Sequence, residues 1–162
     1  MAKHDFPLTN VTSLTMGRAI AADHNGIRLF NVYAPAGTAR RAYRERYYTS
    51  EMSALFYAAS QSVLIGGDFN CVLHPNDTTD PFTTSRAFSE VDQGLALSDA
   101  WSQDPQCPAN THYSPNGAKR IEHFYITQDL LLRKTGIEIL PAAFTNHNAV
   151  VLRISIPTVE TG

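Results

Sequence analysis

The segment SVLIGGDFN, residues 62–70, constrains the fold of this chain more than any other stretch. Its continuous apolar run is typical of a strand that is buried on both faces of a sheet. Asp68 and Asn70 end the segment two positions apart, and the period of an extended chain directs both side chains to the same side. The pair is interpreted in two ways, as part of a ligand site at the carboxyl end of a strand or as the polar residues of a turn.

The rest of the chain predicts more strands than helices. Turn residues at 24–26 and at 115–117 each separate two runs that alternate like strands. Apolar residues at helical spacing predict one long helix, and Ser85 is a candidate N-cap for a second helix. A mixed sheet covered by helices, in the α/β or α+β class, accounts for this order of elements. The predicted strands are 27–33, 63–68, 111–114, 119–126, 136–144 and 149–156, with one more before the first turn, and the predicted helices are 38–61 and 85–97.

Length and composition indicate one globular domain over residues 1–162, with a frayed tail at about 157–162. A net charge of −2 excludes a strong overall attraction to nucleic acid, so any such binding depends on local basic patches. Cys71 and Cys107 have no metal-ligand spacing and are interpreted as free thiols, with one disulfide as the alternative. The sequence contains no signal peptide and no apolar run of membrane-spanning length, so an intracellular protein, nuclear or cytoplasmic, is expected.

Three further positions carry side chains that are common in active sites. His147 lies between Asn146 and Asn148, and histidine is the usual acid–base group near neutral pH. Glu122 interrupts an apolar and aromatic strand and can orient a histidine. Tyr33 ends a strand and can contact phosphate. Each has a structural alternative: a histidine in a surface loop, a glutamate on an edge strand, and a packed tyrosine.

Five motifs follow one another along the chain: NVYAP, GGDFNCVL, LSDAW, KRIEHFYI and TNHNAVVLRI. Their order and approximate spacing resemble those of the endonuclease/exonuclease/phosphatase family. The likeness is to its deoxyribonuclease-I-like and apurinic-endonuclease-like members, and in particular to the endonuclease domains of LINE-type non-LTR retrotransposons. It implies a four-layer αββα sandwich, with two sheets face to face and helices outside. It also implies hydrolysis of phosphoesters with Mg²⁺ or Mn²⁺.

The resemblance implies a role for each of these residues. Asp68 corresponds to the acid that activates the attacking water and binds the metal, and Asn70 to the amide beside the scissile phosphate. Tyr33 corresponds to a phosphate-contacting tyrosine. His147 corresponds to the histidine that contacts the scissile phosphate and assists proton transfer, and Glu122 stands where the family has an aspartate that holds this histidine. Phosphodiester cleavage needs such groups to orient a water, neutralise phosphoryl charge and assist the leaving oxygen.

The sequence departs from the family pattern around the metal site. Asn146 stands where an aspartate is expected. Glu122 is one methylene longer than the family aspartate, so its reach to His147 is expected to be wrong by about an ångström. The N-terminal strands, one of which carries a metal-binding glutamate, have no counterpart, so the sandwich is expected to be N-terminally truncated. A weak metal site is therefore expected, together with uncovered sheet edges or apolar surface that a homo-oligomer fills.

Basic residues near two of the motifs are candidates for binding DNA. The solvated face of a helix is an equally good interpretation of the arginine run. The candidates are Arg40, Arg41 and Arg44, at the start of the predicted 38–61 helix, and Lys119 and Arg120, just before Glu122.

Three functions fit these observations. The first is a divalent-metal-dependent endonuclease domain of retrotransposon origin that cuts DNA phosphodiester bonds, with activity weakened by the departures from the family pattern. The second is a catalytically silent remnant that only binds nucleic acid or itself. The third is a phosphomonoesterase of the same superfamily, against which the LINE-type likeness argues.

Overall fold

A computed structural model describes residues 6–53, 62–80, 83–94, 96–101 and 109–156. Among these residues, no helix has both the length and the apolar character needed to cross a membrane. The helices are α1 (Arg41–Arg46), α2 (Arg86–Gly94) and α3 (Gln128–Leu131), and a π-helical segment, Tyr47–Met52, continues α1. The strands are β1 (Thr9–Leu14), β2 (Ala19–His24), β3 (Ile27–Tyr33), β4 (Ser62–Asp68), β5 (Ser98–Asp99), β6 (His112–Ser114), β7 (Gly117–Lys119), β8 (Glu122–Ile126), β9 (Lys134–Leu140) and β10 (Ala149–Ile154).

A six-stranded mixed sheet, in the order β1-β2-β3-β4-β8-β5, forms the centre of the described structure. β3 and β4 are parallel, and the other pairs in this sheet are antiparallel. β4 lies inside the sheet between β3 and β8, which explains its continuous apolar sequence. β9 and β10 form a separate antiparallel pair, and β6 and β7 form a hairpin.

The two faces of the central sheet pack against different layers. On one face, Tyr48 of the π-helical segment and Phe88 of α2 are buried in the main apolar cluster. On the other face, Ile126 of β8 packs in one cluster with Ile137 of β9 and Leu152 of β10. Helix, sheet and sheet therefore stack in order, which is the helix–sheet–sheet part of the predicted sandwich. The predicted α/β class is confirmed.

An apolar groove of about 580 Å³ opens between the central sheet and β10. Leu29, Leu64 and Phe124 line it from the sheet, and Val150 lines it from β10. Within the described residues β10 pairs only with β9, so its other edge is open. The groove and the open edge are the kind of uncovered apolar surface that the sequence leads us to expect, while a homo-oligomer that fills it stays a prediction.

The predicted 38–61 helix is helical as far as it is described, but it is not one regular α-helix. A 3₁₀ turn at Thr38–Arg40 precedes α1, and the π-helical segment follows it. α2 ends at Gly94 rather than at 97. The Ser85 hydroxyl accepts the Phe88 N–H at 3.1 Å, which confirms its predicted role as the N-cap of α2.

Two strand predictions need correction, and one observed strand was not predicted. The predicted 119–126 strand is interrupted at 120–121, because β7 ends in the hairpin whereas β8 joins the central sheet. β9 ends at Leu140, immediately before Pro141, so the predicted 136–144 strand is too long at its end. β1 has no counterpart in the sequence prediction, because this edge strand is mostly polar and exposed and so lacks a buried apolar face.

Some predictions fall outside the described residues. They are the last part of the long helix, 54–61, the second cysteine, Cys107, and the tail at 157–162. Cys71 is a free and buried thiol, as predicted.

Candidate active site

Three candidate residues meet at one edge of the central sheet. In the parallel register of β3 and β4, Tyr33 is opposite Asp68. In the antiparallel register of β4 and β8, Asp68 is opposite Glu122. The residues are therefore neighbours on three adjacent strands. The parallel pairing brings Tyr33 and Asp68 together, because parallel strands end at the same edge of a sheet.

The chain turns immediately after Asp68, and the neighbouring β3 end holds this turn. The Ala34 N–H donates to the Asp68 carbonyl at 2.9 Å, and the Asn70 side-chain amide donates to the Ala34 carbonyl at 2.8 Å. Asn70 has a φ of 49°, in the left-handed region that asparagine tolerates, and its N–H donates to Asp68 Oδ1 at 2.8 Å. Asp68 and Asn70 therefore form a turn, as the second interpretation predicts, and they also lie at the sheet edge where the first interpretation places a ligand site.

His147 reaches the same edge from the loop between β9 and β10. The loop is tied to the start of β6, because the Asn148 N–H donates to the Thr111 carbonyl at 2.7 Å. His147 Nδ1 hydrogen-bonds the Glu122 carboxylate. The expectation that the longer Glu122 side chain would be misplaced relative to His147 is therefore wrong, because the two side chains form a hydrogen bond.

Asp68, Glu122 and His147 can together hold a metal ion. One ligand atom of each residue lies within 4.8 Å of the others. Glu122 Oε1 bonds His147, whereas Glu122 Oε2 is buried without a hydrogen-bond partner among the described residues. A buried carboxylate oxygen without a partner is costly, which fits a position beside a bound cation. Glu122 is therefore a second candidate ligand beside Asp68, the one metal ligand expected from the sequence.

Burial gives Asp68 an unusual protonation equilibrium. It raises the pKa of Asp68 from 3.8 to about 6, while the Asn70 N–H opposes the shift and the Glu122 carboxylate adds to it. The folded protein therefore binds this proton more tightly than the unfolded chain does. It follows that Asp68 contributes stability at pH below about 4, and that this contribution is lost as the pH rises through about 6.

The metal-free Asp68→Asn variant is expected to be more stable than the wild type at pH about 8, because the buried charge is removed. We expect a gain of about 1–2 kcal/mol after allowance for partial exposure, and a much smaller difference at pH about 4, where Asp68 is protonated. Urea unfolding of both proteins in EDTA at the two pH values measures this difference. A difference that is the same at both pH values would contradict a raised Asp68 pKa.

Asn146 supports a second histidine beside the site. Asn146 Nδ2 lies 3.0 Å from His112 Nε2, so the amide donates and the ring nitrogen accepts. The rings of His112 and His147 meet edge to face, with their centroids 4.5 Å apart. Burial and the neighbouring His147 lower the pKa of His112, which favours its neutral form. Asn146 therefore adds no charge where the family aspartate would.

The basic candidates differ in their exposure. Arg40 and Arg41 are exposed at the start of α1. Arg44 is only 3% exposed and lines a polar pocket together with Asp68 and His147. Lys119 lines the same pocket, and its Nζ lies 3.7 Å from the Asp80 carboxylate.

Arg120 lies in the interior, which corrects its prediction as a DNA-binding residue. It is 7% exposed, with Nη2 2.9 Å from the Asp77 carboxylate and Nη1 2.8 Å from the Asp99 carboxylate. Burial alone would raise the pKa of Asp99. His123 and Arg120 outweigh this effect and hold the pKa well below its usual value, so this acid stays ionised. The buried ion network fixes the junction of β7 and β8, and with it the start of the strand that carries Glu122.

An alternating row of arginine and tyrosine side chains leads away from the site. The Arg18 guanidinium lies 5.9 Å from the centre of the Tyr33 ring and 5.8 Å from that of the Tyr43 ring. The Arg46 guanidinium lies 5.7 Å from the Tyr43 ring centre. Tyr33 is 54% exposed. Attraction between the cations and the rings stabilises this arrangement, called the Arg/Tyr row below.

Sequence reasoning missed Arg18 and His112. A signal for Arg18 exists, because the hairpin turn at 24–26 sets a register that pairs Ala19 with Val32 and so brings Arg18 beside Tyr33. The Tyr33 N–H indeed donates to the Arg18 carbonyl at 2.8 Å. His112 has no such local signal, since its contact with the site depends on a distant loop.

Comparisons with known sequences agree over most of the chain. Residues 9–155 match the Endonuclease/Exonuclease/phosphatase family. A curated relative, the "Transposon TX1 uncharacterized 149 kDa protein" of Xenopus laevis, is 33% identical over 138 residues. That alignment covers 79% of this chain and 10% of the relative, so the chain spans a small part of the transposon protein.

Solved structures give the same fold. An AP endonuclease from Archaeoglobus fulgidus superposes with a TM-score of 0.81 at 17% identity, covering 93% of this chain and 72% of that one. A 3′ phosphatase, NExo, from Neisseria, bound to a product DNA hairpin, superposes with a TM-score of 0.76 at 18% identity and covers the same 93% and 72%. At these identities the likeness shows the fold alone.

Proposed function

The chain belongs to the endonuclease/exonuclease/phosphatase family, and on that basis we propose that it is a divalent-metal-dependent endonuclease-type domain that hydrolyses DNA phosphodiester bonds. The convergence of Tyr33, Asp68, Glu122 and His147 on one sheet edge is the observation that carries the proposal. The relative in transposon TX1 supports a retrotransposon origin. The names of the two solved structures, an AP endonuclease and a phosphatase bound to product DNA, support DNA as the substrate.

The cofactor in this proposal is Mg²⁺ or Mn²⁺. Asp68 and Glu122 Oε2 would hold it, because Mg²⁺ sites in proteins use one or two carboxylates together with substrate phosphates. Carboxylates suit Mn²⁺ as well. When bound, the ion neutralises charge on phosphoryl oxygens and makes a bound water more acidic.

The side chains of the site divide the remaining work. In the metal-free protein Asp68 is a carboxylate above pH about 6, and in this proposal it accepts the proton of the attacking water. Asn70 Nδ2 gives one hydrogen to the Ala34 carbonyl, and its second hydrogen remains for a phosphoryl oxygen. Glu122 holds His147 through Nδ1, which leaves the opposite ring nitrogen to protonate the leaving oxygen. Tyr33, half exposed at the edge, offers its hydroxyl to the phosphate.

DNA in this proposal lies along the Arg/Tyr row. Arg18 and Arg46 supply positive charge for phosphates, and the tyrosine rings offer faces on which exposed bases can stack. Arg40 and Arg41, exposed at the start of α1, extend the positive surface. Because the net charge is −2, binding depends on these local charges and is expected to weaken with added salt.

The activity we propose is weak. Asn146 supplies no charge, and its side chain bonds His112 instead of the catalytic pair. Glu122 meets His147, so the altered length of this residue no longer counts against activity. The site therefore has a complete acid–base pair and a cation site with few carboxylates, which fits slow cleavage rather than none.

Nicking of a supercoiled plasmid tests this function. We expect slow formation of relaxed circles with Mn²⁺ or Mg²⁺, and none in EDTA. The His147→Ala variant is expected to be slower still by ~10²- to 10⁴-fold, because it loses a positioned acid–base group. The matched control is His74→Ala, which changes an exposed histidine outside the site.

The Asn146→Asp variant extends the test. It is expected to nick faster than the wild type without reaching full activity, because the cation site still has few carboxylates, those of Asp68 and Glu122. Fast Mg²⁺-dependent nicking by the unmodified chain would contradict the weakened activity. DNA binding without cleavage at any concentration of either metal would support the silent, DNA-binding alternative.

A further inference from the structure

Within the described residues, Arg44 is a buried cation without an acidic partner. It is 3% exposed, and its Nε is buried without a hydrogen-bond partner among the described residues. None of the ion pairs in the described part of the chain includes it. The contrast is Arg120, which is buried to a similar extent and pairs with Asp77 and Asp99. The fold thus pairs one of these two interior arginines with carboxylates and leaves the other without an ion pair in the described part of the chain.

The groups nearest to Arg44 in the helix do not neutralise it. Glu45 follows it in sequence, but consecutive helix residues face different directions, and the Glu45 carboxylate accepts the Ala87 N–H at 3.0 Å. The Arg44 charge acts on the Tyr48 hydroxyl and the Cys71 thiol. Burial raises the pKa of Cys71 to about 12, so the thiol carries no charge at neutral pH.

Arg44 lines a polar pocket of about 310 Å³ that it shares with the candidate active site. Asn70 and His147 line the same pocket. Lys119 lines it as well, but the Asp80 carboxylate 3.7 Å away offsets its charge. The Asp68 carboxylate also lines the pocket, but no ion pair within the described residues joins it to Arg44. A buried guanidinium without an ion-pair partner, facing a polar cavity, suits an anionic ligand, and its planar fork of donors matches the oxygens of a phosphate.

We infer that this pocket binds a phosphate group of the nucleic-acid substrate, with Arg44 as the cation that pairs with it. The source of the phosphate rests on the proposed function, whereas the affinity of the pocket for phosphate does not. Because Asn70 and His147 share the pocket, the bound phosphate lies at or next to the phosphodiester that is cut. An internal phosphate and a terminal phosphomonoester both have this chemistry.

Thermal unfolding in EDTA, with inorganic phosphate or with chloride at matched ionic strength, tests the pocket without catalysis. Phosphate is expected to raise the Tm of the wild type, because it binds the folded state. The Arg133→Met variant, which removes an exposed arginine outside the pocket, should respond like the wild type. The Arg44→Met variant should not respond, and its Tm without phosphate should equal or exceed that of the wild type, since methionine fills the space without an unpaired charge.

Titration calorimetry with inorganic phosphate gives the size of the effect. We expect the Arg44→Met variant to bind at least ~10-fold more weakly than the wild type. The Arg44→Lys variant keeps the charge but loses the planar fork of donors, so it should bind phosphate several-fold more weakly than the wild type. This variant replaces Arg44→Met in the test if Arg44→Met does not fold. Equal affinity in the wild type and these variants, or no phosphate binding by the wild type, would overturn the inference. Both measurements are independent of nicking, so a failure of the proposed nuclease activity leaves them unaffected.

Two oligonucleotides of one sequence, ending in a 3′-hydroxyl or a 3′-phosphate, identify the source of the phosphate. If Arg44→Met lowers the affinity only for the 3′-phosphate strand, the pocket binds a terminal phosphomonoester. An equal loss for both strands assigns it to an internal phosphate. No loss for either strand would overturn the use of this pocket by nucleic acid.

Discussion

Replacing Gly67 by alanine is expected to destabilise the folded protein strongly. Gly67 has a φ of +149°, and a Cβ atom there would lie 1.9 Å from the Val32 carbonyl oxygen on the neighbouring strand. The obstacle is backbone inside the sheet, so it cannot move aside without disrupting the pairing of β3 and β4. We expect a loss of about 4 kcal/mol or more, against a total free energy of unfolding of about 5–15 kcal/mol for a domain of this kind.

The matched control for this prediction is Gly26→Ala. Gly26 also has a positive φ, +76°, but nothing lies within 4 Å of the position that its Cβ would take. Its cost is therefore only that of the left-handed backbone, about 1–2 kcal/mol. Urea unfolding followed by circular dichroism gives both free energies. Similar losses for the two variants would show that the close approach to Val32 is not what requires glycine at position 67.

The Asp68→Asn variant is expected to lose both cation binding and nicking. The new side chain keeps an oxygen that can accept the Asn70 N–H, so the turn is preserved. In the proposed mechanism it removes one of the carboxylates that would hold the cation and the group that accepts the proton of water. Nicking should fall by ~10²- to 10⁴-fold. Removing a group that only hydrogen-bonds a metal ligand weakens metal binding by about 10–100-fold. Asp68 is proposed to bind the metal directly, so the affinity for Mn²⁺ should fall at least that much.

Electron paramagnetic resonance titration of free Mn²⁺ measures the affinity, and the plasmid assay measures the rate. The control is Glu90→Gln, which removes an exposed carboxylate from α2 and should change neither quantity. The gain in metal-free stability expected for Asp68→Asn separates a loss of chemistry from a loss of fold. Unchanged Mn²⁺ affinity would exclude Asp68 from the metal site.

The sequence is informative about this protein where side chains follow the ends of strands. The apolar run places Asp68 and Asn70 at a strand end, and the motif order indicates the residues that the structure brings beside them. The local signal was strong because β4 is covered on both faces and flanked on both edges. A strand enclosed in this way is apolar along nearly its whole length, so the ends of the apolar run also predict its boundaries well.

The interior arginines show where sequence reasoning ends. Arg44 and Arg120 both occur in short basic runs that suggest a solvated or DNA-binding surface, and both are buried. The partners of Arg120 are Asp77 and Asp99, which come from loops and strands remote in sequence. Burial of an arginine depends on such tertiary partners, and no local pattern of charge distinguishes it from exposure.

The connectivity of the central sheet also governs when the site can form during synthesis. β4 can pair with β3 only after the helical connection between them has crossed the sheet face, and β8, which carries Glu122, follows only after α2 and the β6–β7 hairpin. Closing long loops costs entropy before the contacts compensate for it, so pairs this remote in sequence form slowly. On the ribosome, Asp68 emerges long before Glu122 and His147. A nascent chain therefore lacks the complete candidate site until residue 147 has emerged, so fragments that end before it are expected to lack the nicking that we propose.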